Sequence, residues 1–351
     1  MNSEENARFI HNAEQLLNVF PLTDEQKKEI DDVRRTYPML IPPHYASLIG
    51  EAGSPVWKQC VPSMEELQNP GHFEDDPLHE GNFSPVPYLV HKYPDRAAFF
   101  ICNTCYMYCR HCTRKNTVIK NERVTKEQFE DVIAYLKKTT QIRDVLITGG
   151  DPFTLSDETL NYFLTRLREI EHIQTLRIGT RAIVVKPDRI TEKLADMLSK
   201  HHPLWINTHF NHPSEITPEA AKACDILLSR GIPLGNQTVL LKGVNDDIDT
   251  MEQLVLGLIR IRVRPYYLYQ CDNVCGTSHF HTDYKLGMDI IQELRRRVSG
   301  YAVPRFVIDV PGPRGGKITT EYTNFISDQG DKLLLRAFDG GEVAFDKGGN
   351  R

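Results

Sequence analysis

The chain has 351 residues, of which 40% are hydrophobic and 25% charged, and its formal net charge is −5. This composition is typical of a globular protein and excludes a disordered or low-complexity chain. The slight acidic excess gives no reason to expect a nucleic acid partner, and no apolar stretch approaches the roughly 20 residues that span a bilayer. The acidic N-terminus lacks the pattern of a signal peptide, so with its unpaired thiols the chain is expected in a reducing cytoplasm.

The N-terminal quarter of the chain predicts helices followed by irregular structure. Residues 1 to about 45 have a helical pattern, and Thr23 before an Asp-Glu-Gln run predicts a helix cap. Residues 46 to 90 are rich in proline, with apolar anchors at Trp57, Met64, Leu67 and Leu78. We therefore predict an N-terminal helical and covering segment over 1–90.

From residue 97 onward, strand and helix patterns alternate. Six short apolar runs are typical of strands: 97–101, 145–148, 176–179, 204–207, 236–241 and 266–269. Helical patterns lie near 125–138, 156–169, 190–200, 217–230, 248–261 and 284–298. This alternation predicts an α/β fold with a parallel sheet, and its six units agree with a partial (β/α)6 barrel over 91–300. A seventh apolar run, 306–309, leads into a short C-terminal segment over 301–351.

A cysteine motif directly follows the first predicted strand. It reads Cys102-Asn-Thr-Cys105-Tyr-Met-Tyr-Cys109-Arg-His-Cys112, and its last three cysteines form CxxxCxxC. Three thiolates can hold three corners of a [4Fe-4S] cluster and leave the fourth iron open for S-adenosylmethionine. Structural zinc sites usually separate their CxxC pairs by a dozen or more residues, which argues against zinc. If Cys102 is a fourth ligand, a closed cluster of an iron–sulfur electron-transfer or sensor protein stays an alternative.

Polar residues occur where several predicted strands end. They are Gly149, Gly150, Asp151, His209, Gln237 and Asp272. Each has an ordinary explanation alone, since Gly-Gly-Asp is common in turns and a single histidine is usually a structural hydrogen-bonding group. Their recurrence at successive strand ends predicts a ligand site at one end of the barrel.

A glycine-rich segment precedes Lys317. It is not a phosphate-binding Walker loop, because Pro311 replaces the first glycine and Ile318 replaces the required Ser or Thr. A lysine on a glycine-rich loop can instead form a Schiff base with an aldehyde cofactor. A plain surface turn is the alternative.

Together these motifs resemble those of the lysine 2,3-aminomutase family, which are radical SAM enzymes that also use pyridoxal phosphate. The matching segments are His91–Arg96, Cys105–Arg114, Gly149–Asp151, Asn207–Pro213, Leu234–Gln237, Arg264–Asp272, Ser299–Tyr301, Val310–Gly312 and Lys317. The resemblance implies an isomerase with a [4Fe-4S] cluster, S-adenosylmethionine and pyridoxal phosphate. It would move the amino group of L-lysine from Cα to Cβ.

The resemblance also implies a role for each matching residue. Cys105, Cys109 and Cys112 would be the metal ligands, and Lys317 would be the catalytic residue that carries pyridoxal phosphate. The remaining cofactor-binding candidates are Lys92, Tyr93 and Arg96 for pyridoxal phosphate, His111, Gly149, Gly150 and Asp151 for S-adenosylmethionine, and His209 and Gln237 near both. Arg114 would pair with the substrate carboxylate, and Asp272 and Asp309 would bind the ε-ammonium.

The chain departs from the longer aminomutases of this family in three ways. No cysteine lies beyond Cys275, and Asp247 stands where those enzymes have a further zinc ligand, so no zinc is expected. The loop before Lys317 is one residue longer, and its Arg314 could alter specificity. Cys102 is additional.

Three questions stay open at this point. Arginine or another amino acid is the alternative substrate on the same scaffold, whereas two aspartates would repel glutamate. The partners implied are a small amino acid and an electron donor such as flavodoxin or ferredoxin. A homo-oligomer without the zinc link also stays open.

Overall fold

The computed structural model describes residues 8–71, 73–118, 124–312, 316–319, 325–330, 332–336 and 341–346. Its centre is a nine-stranded sheet whose strands follow one another in chain order. The strands are β1 Leu89–Tyr93, β2 Arg96–Cys102, β3 Asp144–Gly149, β4 Thr175–Gly179, β5 Leu204–Thr208, β6 Leu234–Leu240, β7 Arg264–Gln270, β8 Arg305–Val310 and β9 Gly316–Thr319. Neighbouring strands from β2 to β8 are parallel, whereas β1 and β9 are antiparallel to their neighbours.

Helices cover the outside of this sheet. The six that separate the parallel strands are Lys126–Lys138, Asp157–Arg168, Glu192–Ser199, Pro218–Leu228, Ile248–Arg260 and Tyr284–Arg297, and two short helices are Lys115–Val118 and Ala182–Val185. All six predicted strands and all six predicted helices are confirmed. The seventh apolar run forms β8, a further parallel strand. The α/β barrel is therefore confirmed, while the predicted domain boundaries at 91 and 301 stay predictions.

The two ends of the sheet meet. The backbone N–H of Lys317 in β9 donates to the hydroxyl of Tyr93 in β1 over 2.8 Å. Lys92 Nζ donates to the carbonyl oxygen of Val310 over 3.3 Å. These contacts join the first strand to the last and make the sheet a nearly closed barrel.

The main core lies between the sheet and the helices. Alternate strand residues such as Phe99, Ile147 and Ile206 are fully buried there. Because successive strand residues face opposite sides, the residues between them face the barrel interior. Among the described residues, no helix combines the length and the apolar character that crossing a membrane requires.

The N-terminal segment packs beside the cysteine motif. Its helices are Ala13–Leu17, Asp24–Val33, Pro43–Ala46 and Pro55–Cys60. Thr23 forms the predicted cap, with a reciprocal bond from Gln26. Trp57 packs against Phe20, with ring centroids 5.1 Å apart.

The prediction of apolar anchors is wrong for two residues. Met64 and Leu67 are 44% and 39% exposed. The residue that faces inward from this short turn is Glu66, which is fully buried and binds Arg110 and Lys115. A buried ion pair, which a search for apolar residues does not detect, thus anchors the segment.

A small antiparallel sheet follows β9. Its strands are β10 Phe325–Asp328, β11 Lys332–Arg336 and β12 Glu342–Asp346.

Candidate active site

A cavity of about 640 Å³ lies inside the barrel. It contacts every residue to which the sequence assigned a site role: Lys92, Tyr93, Arg96, Cys105, Cys109, His111, Cys112, Arg114, Gly149, Gly150, Asp151, His209, Gln237, Asp272, Asp309 and Lys317. These residues come from β1, β2, β3, β6, β8 and β9, from the loop after β2, and from the segments that follow β3, β5 and β7. The fold therefore brings them together at one place.

The loop that carries the three cysteines is held rigidly. Arg110, between Cys109 and Cys112, is buried and donates to Glu66 and to the carbonyl oxygens of Tyr37 and Pro38. The thiols of Cys105, Cys109 and Cys112 border the cavity, and thiolates are the usual ligands of iron–sulfur clusters. In the part of the chain that is described, no three Cys, His, Asp or Glu side chains converge on one metal ion position.

Cys102 differs from the other three cysteines in its position relative to the cavity. It is 1% exposed and does not border the cavity. Its sulfur is 3.5 Å from the carbonyl oxygen of Asp151 and 3.7 Å from Thr154 Oγ1. The thiol thus contacts the turn after β3, and its position gives no support to a role as a fourth cluster ligand.

The two glycines that end β3 are required by the cysteine loop itself. A Cβ atom on Gly149 would lie 2.4 Å from the carbonyl oxygen of Cys102, and one on Gly150 would lie 2.2 Å from that of Thr104. Gly149 also has a φ of +117°, which L side chains rarely adopt. The sequence analysis assigned these glycines to a ligand site, and the close approach that the structure shows at them is that of the chain's own backbone.

Asp151 organises the strand ends around it. Its Oδ1 accepts hydrogen bonds from Thr180 Oγ1 at 2.7 Å and from the Phe153 N–H at 3.0 Å. Its Oδ2 accepts from the backbone N–H of Arg181 at 2.8 Å. Burial raises the pKa of Asp151, whereas these donors act in the opposite direction. The carboxylate therefore ties the turn after β3 to the end of β4.

Two neutral histidines lie beside the cysteines. Burial lowers the pKa of His111 well below its usual range, and it lowers that of His209 to about 3, with the positive charge of Arg181 acting in the same direction. Asn211 contacts both rings, accepting at 3.0 Å from His209 and donating at 3.3 Å to His111 Nε2. At neutral pH the two imidazoles are therefore uncharged.

Several buried polar atoms at the cavity have no hydrogen-bond partner within the described part of the chain. They are His111 Nδ1, Arg114 Nε, Asn207 Nδ2, Thr208 Oγ1 and Gln270 Oε1. An unsatisfied buried polar atom is costly, so these atoms suit a polar ligand in the cavity. The sequence analysis assigned no role to Asn207, Thr208 or Gln270, although each lies at a polar strand end.

Lys317 lies at the seam of the barrel, where β1 meets β9. Its ammonium forms an ion pair with Asp309 and lies 4.9 Å from the ring centroid of Tyr269. Arg96 stacks on Tyr93 at 3.9 Å from the ring centroid, which fixes the hydroxyl that holds the Lys317 backbone. Gly316 is required here, because its φ is +113° and a Cβ atom would lie 2.5 Å from that hydroxyl.

A second acidic group, Asp272, contacts the segment that directly follows the three cysteines. Asp272 Oδ2 accepts a 2.6 Å hydrogen bond from Thr113. Burial raises the pKa of Asp272 to about 6; the charge of Asp309 acts in the same direction, and Thr113, Lys317 and Arg114 oppose it. Asp272 and Asp309 thus both border the cavity, and the carboxyl group of Asp272 is costly to ionise.

Arg114 has a partner that the sequence did not predict. Its Nη2 donates to Glu80 over 2.6 Å, and its guanidinium lies 4.2 Å from the ring centroid of Phe100. The negative charge of Glu80 comes from the covering segment and fixes one end of the guanidinium. The predicted effect of Arg314 concerns a residue outside the described part of the chain.

Comparison with known proteins identifies the family. The models of the Radical SAM superfamily and of Lysine-2,3-aminomutase match residues 99–255 and 291–348. The L-lysine 2,3-aminomutase of Clostridium subterminale is 47% identical over 334 residues, which cover 94% of this chain and 80% of that protein. That of Acetoanaerobium sticklandii is 48% identical over 341 residues, covering 96% and 82%. This chain belongs to the lysine 2,3-aminomutase family.

The family places the chain among radical SAM isomerases that use a [4Fe-4S] cluster, S-adenosylmethionine and pyridoxal phosphate. The resemblance inferred from the sequence motifs is thus confirmed. A glutamate 2,3-aminomutase of Clostridioides difficile is also similar, with 39% identity over 336 residues that cover 94% of this chain and 79% of that protein.

Asp247 stabilises the start of a helix in this aminomutase. It is the N-cap of the helix Ile248–Arg260, and its Oδ1 accepts from the Thr250 N–H at 2.9 Å. Aspartate is a preferred residue at this position, because its side chain satisfies a free N–H of the first turn. The expectation that the protein holds no zinc stays a prediction.

Proposed function

We propose that the protein moves the amino group of L-lysine from Cα to Cβ and so forms β-lysine. The observation that carries this proposal is that one cavity is bordered by the three thiols of the CxxxCxxC motif, by Lys317, and by the carboxylates of Asp272 and Asp309. This set matches what the reaction needs: a place for the cluster, an amine that holds an aldehyde cofactor, and anions that bind a cationic side chain. The cavity volume of about 640 Å³ suits small-molecule ligands.

At one end of the cavity lie the residues that would bind the cluster and S-adenosylmethionine. Cys105, Cys109 and Cys112 would hold the cluster, and the neutral His111, with a free Nδ1, would contact S-adenosylmethionine without adding charge beside its sulfonium. Gly149, Gly150, Asp151, His209 and Gln237 would form the surrounding wall. When bound, these cofactors supply reductive cleavage of S-adenosylmethionine and a carbonyl group that holds the migrating amine.

Lys317 is suited to carry pyridoxal phosphate. Its ammonium must lose a proton before the amine can react, and the carboxylate of Asp309 is the adjacent acceptor. Lys92 and Arg96 border the same part of the cavity and supply positive charge for a phosphate. Tyr93 would contribute by fixing the backbone of Lys317.

The substrate would bind between Arg114 and the two aspartates. Glu80 holds one nitrogen of Arg114, and the buried Nε has no partner, so it is available to a carboxylate. Asp309 is paired with Lys317 here, but once the cofactor occupies Lys317, that carboxylate becomes available to the ε-ammonium together with Asp272. A carboxylate side chain would instead meet like charge, which disfavours glutamate.

We also infer the cellular setting. Reductive cleavage needs a low-potential electron donor such as flavodoxin or ferredoxin. Among the described residues all eight cysteines are free thiols, which supports a reducing cytoplasm. Whether the protein forms a homo-oligomer is tested by measuring its molar mass in solution.

An anaerobic assay tests the proposed function. The reconstituted protein, with S-adenosylmethionine, pyridoxal phosphate and dithionite, is given lysine, arginine, ornithine or glutamate, and the β-amino acids are measured. Lysine is expected to lead by tenfold or more. Faster turnover of arginine would contradict the proposal that lysine is the substrate. Reduction of the cluster without turnover of any amino acid would favour an electron-transfer protein.

A further inference from the structure

We propose that Arg181 sets the reduction potential of the cluster by donating a hydrogen bond to the sulfur of Cys109. Arg181 follows β4, and its Nη1 lies 2.8 Å from Cys109 Sγ. Its side chain is only 9% exposed, so water does not compete strongly for the guanidinium. The inference rests on the proposed ligation of the cluster by Cys109.

The guanidinium is fixed at every nitrogen. Nη2 donates to Glu215 Oε1 and to Gln59 Oε1, each at 2.7 Å. Nε donates to the carbonyl oxygen of His209 at 3.2 Å, and the backbone N–H is held by Asp151. These bonds leave Nη1 directed at the sulfur, so the contact is built into the surrounding network.

Glu215 is equally constrained. It is fully buried and accepts a 2.6 Å hydrogen bond from Tyr45, as well as bonds from the backbone N–H groups of Asn211 and His212. Because the carboxylate pairs with Nη2 while Nη1 meets the sulfur, Arg181 keeps a donor on the cluster side. A Glu–Arg pair needed only for neutrality would not require a sulfur partner.

The direction of the effect follows from charge. Reduction adds an electron to the cluster, so a donor beside a ligating sulfur stabilises the reduced form more than the oxidised form. Hydrogen bonds to cluster sulfurs are among the protein's main means of setting this potential. Arg181 therefore raises the potential and makes electron entry easier.

The test removes the hydrogen bond without changing the net charge. In Arg181→Gln/Glu215→Gln, both charges of the pair are lost. The control Asp157→Asn/Arg189→Gln removes another largely buried ion pair, whose described partners include no sulfur. The midpoint potential of each reconstituted, SAM-free protein is measured by EPR. We expect reduction of the first variant to be about tenfold less favourable, which is about 59 mV for one electron, with a much smaller shift in the second.

An unchanged potential in the first variant at full iron content would overturn the inference, and so would an equal shift in both variants. A second measurement uses the unaltered protein and so does not depend on how the variants fold. Arginine labelled with ¹⁵N in its guanidino group should give a ¹⁵N coupling in pulsed EPR of the reduced cluster, and the absence of that coupling would also overturn it. A wild-type protein that binds no cluster would instead refute the proposed function.

Discussion

Replacing Asp272 by asparagine is expected to make the cofactor-free protein more stable while removing lysine turnover. Burial and the nearby charge of Asp309 raise the pKa of Asp272 to about 6 from its ordinary value of 3.8. At neutral pH the folded protein therefore holds an ionised carboxylate whose free energy would be lower in the unfolded chain, where water solvates it. Asparagine has no charge and keeps an oxygen that can accept the hydrogen bond from Thr113.

The size of this effect depends on pH in a defined way. Because the folded carboxyl binds its proton more tightly than the unfolded one, stability falls as pH rises from about 4 to about 6. The pKa of Asp272 rises from 3.8 in the unfolded chain to about 6 in the folded one. At 1.36 kcal/mol per pH unit, this difference lowers the free energy of unfolding by about 3 kcal/mol above pH 7. For a chain of 351 residues this is about 4 °C in Tm. Below pH 4 the difference should be less than about 1 kcal/mol.

Thermal unfolding of both proteins at pH 7 and pH 4 tests this reasoning. Asp309→Asn is the matched control, since it removes the partner of Lys317 and is not expected to stabilise the protein. In the reconstituted enzyme, Asp272→Asn should lower kcat/KM for lysine by about a hundredfold or more, while S-adenosylmethionine still binds. The argument fails if the variant melts no higher than wild type at pH 7, or if its gain is as large at pH 4.

Four further outcomes follow from the site. Alanine at any cysteine of the CxxxCxxC motif should abolish cluster binding, measured as iron content and by EPR, whereas Cys102→Ala should keep a cluster that cleaves S-adenosylmethionine. Borohydride should fix pyridoxal phosphate to Lys317, and a peptide map with the label elsewhere would refute its role. Gly150→Ala should destabilise the protein by about 1–3 kcal/mol in urea unfolding, because its Cβ would lie 2.2 Å from the backbone of Thr104. Glu80→Gln should raise KM for lysine severalfold with little change in kcat; an unchanged KM would show that the partner of Arg114 does not orient it.

The sequence allowed the barrel to be predicted because its information is local. Each strand is a short apolar run and each helix has its own cap and apolar face, so the strands and helices could be placed one by one. Parallel strands then bring their carboxyl ends to one edge. This explains why residues as distant as Cys105 and Asp272 could be expected in one site.

The pairings within the site could not be predicted in this way. Arg181 bonds to Cys109, and Glu80 bonds to Arg114, through contacts between separate segments with no shared motif. The burial of Glu66 likewise could not be predicted, because two consecutive glutamates between Met64 and Leu67 suggest a surface turn. Such pairs depend on the orientation of side chains after packing, and no local pattern records that orientation.

The hydrogen bond between Tyr93 and Lys317 has a consequence for the order of assembly. The strands of the sheet pair with their neighbours in sequence, so each can dock on the strand made before it. The bond between β1 and β9 joins residues 224 positions apart. A growing chain can therefore form the cysteine end of the barrel long before its lysine strand exists. The step that closes the barrel is therefore also the step that places Lys317, the residue proposed to carry the cofactor, and it comes late in synthesis.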